Sequence, residues 1–172
     1  MNLSNIKYFS TVNGTGVRTA VFVSGCEFNC PGCFNTVAKD FNYGEPLNDE
    51  LLNKILESVE PEYISGLAIL GGEPLNPRNQ EGVYQIIEAF RKKFGDTKTI
   101  WLWTGYVFEK VPLTGVTFDI FKSIDVLIDG PFILEKRDPK LPYRGSSNQR
   151  VIDMRKSFGS ACQKIVELSG IE

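Results

Sequence analysis

Three of the chain's four cysteines fall between Ser24 and Thr36, in the stretch SGCEFNCPGCFNT, with the spacing C-x3-C-x2-C. Thiolates ligate soft metals and iron–sulfur clusters or carry out redox chemistry. A four-iron cluster usually has a thiolate on each iron, so Cys26, Cys30 and Cys33 alone would leave one iron open to another ligand. The fourth cysteine, Cys162, lies near the C-terminus in an amphipathic pattern. It reads as a small buried hydrophobe or an idle thiol, with completion of the ligand set as the alternative. A structural zinc site using Cys162 and a redox-sensing trio are competing readings. Zinc sites usually come as two separated cysteine pairs, and this chain has no second pair.

Other stretches carry residues suited to ligand contact. In GGEP, Gly71 and Gly72 lack side chains and permit close backbone approach, Glu73 carries a negative acceptor, and Pro74 fixes the turn. A plain strand-to-helix turn is the simpler reading of the same four residues. Thr104, Gly105 and Tyr106 form TGY, Asp129 and Gly130 belong to DGPF, and Arg144 to Gln149 form the polar run RGSSNQ. Tyr106 reads equally as a packing residue, Asp129 as a turn cap and the polar run as a solvated loop. The chain has no histidine, which excludes imidazole bases, His-containing triads and Cys/His zinc sites.

The elements that must position these stretches alternate between strand and helix. Apolar, β-branched runs predict buried strands over 17–25, 63–70, 99–103 and 123–128. Helical spacing marks 46–59, with Asn48 as N-cap and Leu47 and Leu52 as a hydrophobic staple, and 82–94. A short helix is expected around 118–122, a strand near 150–154, and a final helix carrying Ala161, Cys162, Ile165, Val166 and Leu168. This alternation predicts an α/β fold with parallel strands. Each of four motifs, the cysteine cluster, GGEP, TGY and DGPF, follows a predicted strand. In parallel α/β folds the C-terminal strand ends carry the ligand site, so all four can face one cavity. A closed eight-unit barrel takes about 250 residues, which leaves a partial, open (β/α) barrel or a small open sheet.

At 172 residues and 42% hydrophobic content the chain suits a single domain spanning 1–172. Nineteen basic residues against 21 acidic ones, with no basic block, argue against a nucleic-acid partner. The N-terminus does not read as a signal peptide and no apolar stretch approaches a membrane span, so a cytoplasmic location and no membrane partner are expected. In a reducing compartment clustered cysteines point to metal or redox chemistry.

The cysteine spacing after the first predicted strand, with GGEP after the second, resembles the radical S-adenosylmethionine enzymes. CPGCFN, WLWTGY, DVLIDGPF and RGSSNQRVID narrow the resemblance to the activases of anaerobic ribonucleoside-triphosphate reductases, over nearly the whole chain. Two departures stand out. Gly32 replaces the aromatic residue that many radical S-adenosylmethionine enzymes carry before the third cysteine, and NGTGVR has Asn13 and Thr15 where related activases have DGPGIR.

The resemblance implies one 4Fe-4S cluster per chain on three cysteine ligands, with S-adenosylmethionine chelating the open iron. Reductive cleavage of its C–S bond would give methionine and a 5'-deoxyadenosyl radical, which takes a Cα hydrogen from a glycine of the partner. Cys26, Cys30 and Cys33 would carry the cluster. Gly32, Cys33, Phe34, Gly71, Gly72, Glu73, Pro74, Thr104 and Gly105 would form the cofactor site, with Phe34 near the adenine. The implied partners are the large subunit of the anaerobic ribonucleoside-triphosphate reductase and an electron donor such as a flavodoxin, with a homodimer or a complex with the reductase. An activase for a pyruvate formate-lyase type of glycyl-radical enzyme and a ferredoxin-like electron carrier are the alternatives.

Overall fold

The computed structural model describes residues 1–33, 35–158 and 165–170. Its elements are β1 (Asn2–Ser10), β2 (Val17–Val23), β3 (Glu45–Pro46), α1 (Asp49–Val59), β4 (Ile64–Gly71), α2 (Gln80–Phe94), β5 (Thr99–Trp103), α3 (Gly115–Ser123), β6 (Val126–Asp129), β7 (Arg150–Asp153) and α4 (Met154–Phe158). They form one seven-stranded sheet in the order β3-β1-β2-β4-β5-β6-β7, which does not close. The central strands β2, β4, β5 and β6 are parallel, as the alternation predicts. The flanking strands correct that expectation, because β1, β3 and β7 pair antiparallel and make the sheet mixed.

Side-chain alternation gives the sheet two different faces. In β5, Ile100 and Leu102 join the larger core, whereas Trp101 and Trp103 turn to the opposite face with Val126 and Ile128 of β6. The larger core is completed by the helices. Leu51, Ile55, Leu56 and Val59 form the buried stripe of α1, and Val83, Ile86, Ile87 and Phe90 that of α2. Helix α1 starts where expected, with Leu51 N donating to Asn48 Oδ1 at 2.8 Å. No helix among the described residues is long and apolar enough to cross a membrane.

The predicted C-terminal helix is not found where it can be described. Ile165, Val166 and Leu168 lie in an extended segment alongside β7, with Asp153 N donating to Val166 O and Leu168 N to Val151 O, both at 2.8 Å. Ala161 and Cys162 lie outside the described residues. The apolar spacing of 165–168 suits a strand as well as a helix, and the free edge of β7 decides between them.

Candidate functional site

The loops after β2, β4, β5 and β6 surround a cavity of about 430 Å³. Its lining brings together Cys26, Cys30 and Cys33 with Gly71, Gly72 and Glu73, and with Thr104 and Gly105. Among the predicted site residues, Gly32 is instead packed beside Leu134, and Pro74 is buried behind Glu73. Phe34 lies outside the described residues.

The cysteine loop is fastened at its base. Gly25 N donates to Ala38 O at 2.7 Å and Cys26 N to Lys39 O at 3.2 Å, while Cys33 N donates to Cys30 O at 3.2 Å within the loop. The three thiols are free and half-buried. Burial pushes the Cys26 thiol up, and the nearby charges of Glu73, Cys30 and Cys33 add to that. Among the described residues no three Cys, His, Asp or Glu are grouped to hold a single metal ion. A cluster makes a different demand, with the thiolates distributed over several irons. Three free thiols around one cavity fit it.

Gly71 and Gly72 pack the second loop against the first. A Cβ on Gly71, whose φ is +115°, would stand 2.6 Å from the Val23 backbone, and one on Gly72 would stand 2.5 Å from Gly25 O. Gly72 N donates to Val23 O at 2.7 Å and Glu73 N to Gly25 O at 2.8 Å. The close approach that these glycines permit is therefore to the backbone leading into Cys26.

Glu73 is 1% exposed. Its Oε1 accepts from Leu75 N at 2.9 Å and from Thr104 Oγ1 at 2.6 Å, and its Oε2 accepts from Gly105 N at 2.7 Å. Burial pushes its pKa up to about 7, against the lowering effect of these bonds. The carboxylate thus ties the loop after β4 to the loop after β5. Asn79, which the sequence did not single out, extends the same network. Its buried Nδ2 lies 3.0 Å from Ser24 O, 3.2 Å from Gly25 O and 2.9 Å from Glu73 O, so two hydrogens are shared among three carbonyls. Nothing in the local sequence distinguishes it from an ordinary helix-cap asparagine.

Two open readings resolve toward structure. The Tyr106 ring packs edge-on against Phe28 at 4.9 Å, and its carbonyl accepts from Gly130 N at 2.8 Å. Asp129 is buried, pairs with Arg150 and accepts from Phe108 N at 2.9 Å. The sequence also missed the cavity's aromatic wall of Phe28, Trp103, Phe132 and Tyr143, whose residue types read equally as core.

A family model described as a 4Fe-4S single cluster domain matches residues 12–152. The chain is 37% identical over 146 residues to an anaerobic ribonucleoside-triphosphate reductase-activating protein of Salmonella typhi, covering 84% of this chain and 93% of that one. The protein of the same name from Escherichia coli strain K12 is 35% identical over 157 residues, covering 90% and 100%. That of Enterobacteria phage T4 is 36% identical over 152 residues, covering 88% and 93%. The chain belongs to this activating-protein family. It is an iron–sulfur-dependent activating enzyme, as the sequence motifs implied. The 4Fe-4S match takes in every loop around the cavity, from the cysteines to the RGSSNQ run.

Proposed function

We propose that this chain activates an anaerobic ribonucleoside-triphosphate reductase by reductive cleavage of S-adenosylmethionine and removal of a Cα hydrogen from a glycine of the reductase. The observation that carries this reading is the single cavity lined by Cys26, Cys30, Cys33 and the Gly71–Glu73 loop, in a chain of the activating family. Cys26, Cys30 and Cys33 are the three ligands of one 4Fe-4S cluster. That cluster, when bound, supplies one electron to the sulfonium of S-adenosylmethionine, giving methionine and a 5'-deoxyadenosyl radical that becomes 5'-deoxyadenosine on taking the glycine hydrogen.

The chain's own residues hold and orient. Gly71 and Gly72 set the backbone close to the cysteine loop, Glu73 positions Thr104 and Gly105 at the cavity wall, and Pro74 fixes the turn behind them. Gly32 and Phe34 flank Cys33 in the sequence and belong to the same proposed cofactor site. We read the open sheet as a partial barrel of the radical S-adenosylmethionine type, forming one domain over 1–172, whose open side admits a loop of the partner. A cytoplasmic location, an electron donor such as a flavodoxin and a homodimer or a complex with the reductase belong to the same reading.

Anaerobic reconstitution with iron and sulfide, reduction, and addition of S-adenosylmethionine tests the reading. Methionine and 5'-deoxyadenosine should form, and both should vanish when Cys26, Cys30 or Cys33 becomes alanine. Adding the reductase should produce a glycyl radical signal in electron paramagnetic resonance. A stable cluster that leaves the cofactor intact would make the chain an electron carrier. A radical raised only on a pyruvate formate-lyase type of partner would reassign the substrate.

A further inference from the structure

The RGSSNQ run is tied down along its length. Gln149 Oε1 accepts from Gly145 N at 2.9 Å and Ser146 N at 3.2 Å, and Gln149 Nε2 donates to Gly130 O at 3.0 Å. Ser146 Oγ accepts from Ile133 N at 3.2 Å, and Asn148 Nδ2 donates to Pro131 O at 2.8 Å. Arg150, the next residue, is paired with buried Asp129 and with Glu109. These bonds fix the run to the end of β6 and to the loop that follows it.

Arg144 is the exception. It lines the same cavity as the three cysteines. Its Nη1 donates to Gln149 O at 3.2 Å, but its Nε is buried without a partner among the described residues. No carboxylate among the described residues pairs with it. The bond from Nη1 leaves the Nε–Nη2 edge of the guanidinium, two parallel N–H donors, without a described acceptor. That edge matches the two oxygens of a carboxylate.

The residue just before it supplies an independent observation. Tyr143 has φ +60°, the one positive value at a non-glycine position among the described residues. Such strain persists only where the surroundings hold it, and it concentrates at ligand-binding positions. Here the Tyr143 carbonyl accepts from Trp103 Nε1 at 2.7 Å, and its ring meets Trp101 edge-on at 5.0 Å. A strained residue clamped on one side and a bonded loop on the other hold a guanidinium with one free edge at the cavity wall. Burying such a donor without an acceptor is unfavourable, so the arrangement calls for an anion that arrives with a ligand.

We propose that Arg144 is the carboxylate receptor of this cavity, and that the carboxylate is that of the methionyl end of S-adenosylmethionine. This rests on the proposed function. The cluster's own charge offers no planar pair of oxygens to the free edge, and a partner's backbone carbonyl carries no charge.

The test is equilibrium dialysis of S-adenosylmethionine against the anaerobically reconstituted, oxidised protein, which binds without turnover. Arg144→Gln should raise the Kd roughly 10- to 100-fold, and Arg144→Lys by less, as expected for a charge-assisted pair. Iron content and thermal melting should match wild type in both variants. Decarboxylated S-adenosylmethionine, measured by competition, should bind wild type and Arg144→Gln alike. Equal Kd values for the intact cofactor in wild type and Arg144→Gln overturn the inference alone, even if reductase binding or the cluster potential changes. Failure of wild type itself to bind the cofactor overturns the proposed function and this inference with it.

Discussion

Glu73 holds two loops together through a carboxylate that has almost no contact with water. Its pKa of about 7 in the folded chain lies above the ordinary 4.5, because burial outweighs three donated hydrogen bonds. Between those values the folded chain keeps a proton that the unfolded chain has released. The stability tied to Glu73 is therefore fully present below pH 4.5, declines as pH rises and levels off above about 7. Glu109 acts with the opposite sign at lower pH, since the hydrogen bond from Arg150 holds it down to about 2, and its contribution is lost as pH falls from 4.5 toward that value. Urea midpoints should accordingly drop between about pH 4.5 and pH 7, by up to about 3 kcal/mol in stability. Glu73→Gln should flatten that part of the profile. A decline that survives the substitution would assign it to other groups.

At the scale of elements, the site depends on how closely the ends of β2 and β4 approach. Gly72 has Gly25 O where a side chain would begin, and that same carbonyl accepts from Glu73 N and lies within reach of Asn79 Nδ2. Gly72→Ala should push the base of the cysteine loop outward, costing about 1–3 kcal/mol as an overpacked contact. Iron per chain after reconstitution should fall with it, and a variant that holds iron as wild type does would show that this approach is unnecessary. The strands and helices behind these loops were legible because their burial patterns are strongly periodic: β5 spans the predicted 99–103, and α1 begins at its predicted cap. Strand β1 was not, because only Leu3 and Ser10 are buried along it and two register shifts break its alternation against β2. Within the site, the meeting of the cysteine loop and GGEP was legible because each follows a predicted parallel strand, and the structure sets Cys26, Cys30 and Cys33 around one cavity with Gly71, Gly72 and Glu73. Asn79 and the partnering of Asp129 by Arg150 were not, since such long-range hydrogen bonds leave no local pattern.

At the scale of the whole molecule, rigidity and function are divided between the sheet and its loops. Buried residues such as Val21, Leu67, Ile69, Ile100 and Leu102 anchor the parallel strands to the helices. The cysteine loop projects from that frame with few backbone bonds of its own, notably Cys33 N to Cys30 O and the two contacts made at its base by Gly25 and Cys26. A cluster on Cys26, Cys30 and Cys33 would cross-link this loop, so its binding energy goes into local order instead of creating the fold. Stripping iron with a chelator under anaerobic conditions should therefore leave the circular dichroism of the helices and sheet intact. Hydrogen exchange should speed up in residues 26–40 while the amides of β4 and β5 keep their protection. If those central strands lost protection together with the loop, the cluster would be a requirement for the fold itself, and the sheet could not be the rigid platform on which the cavity is built.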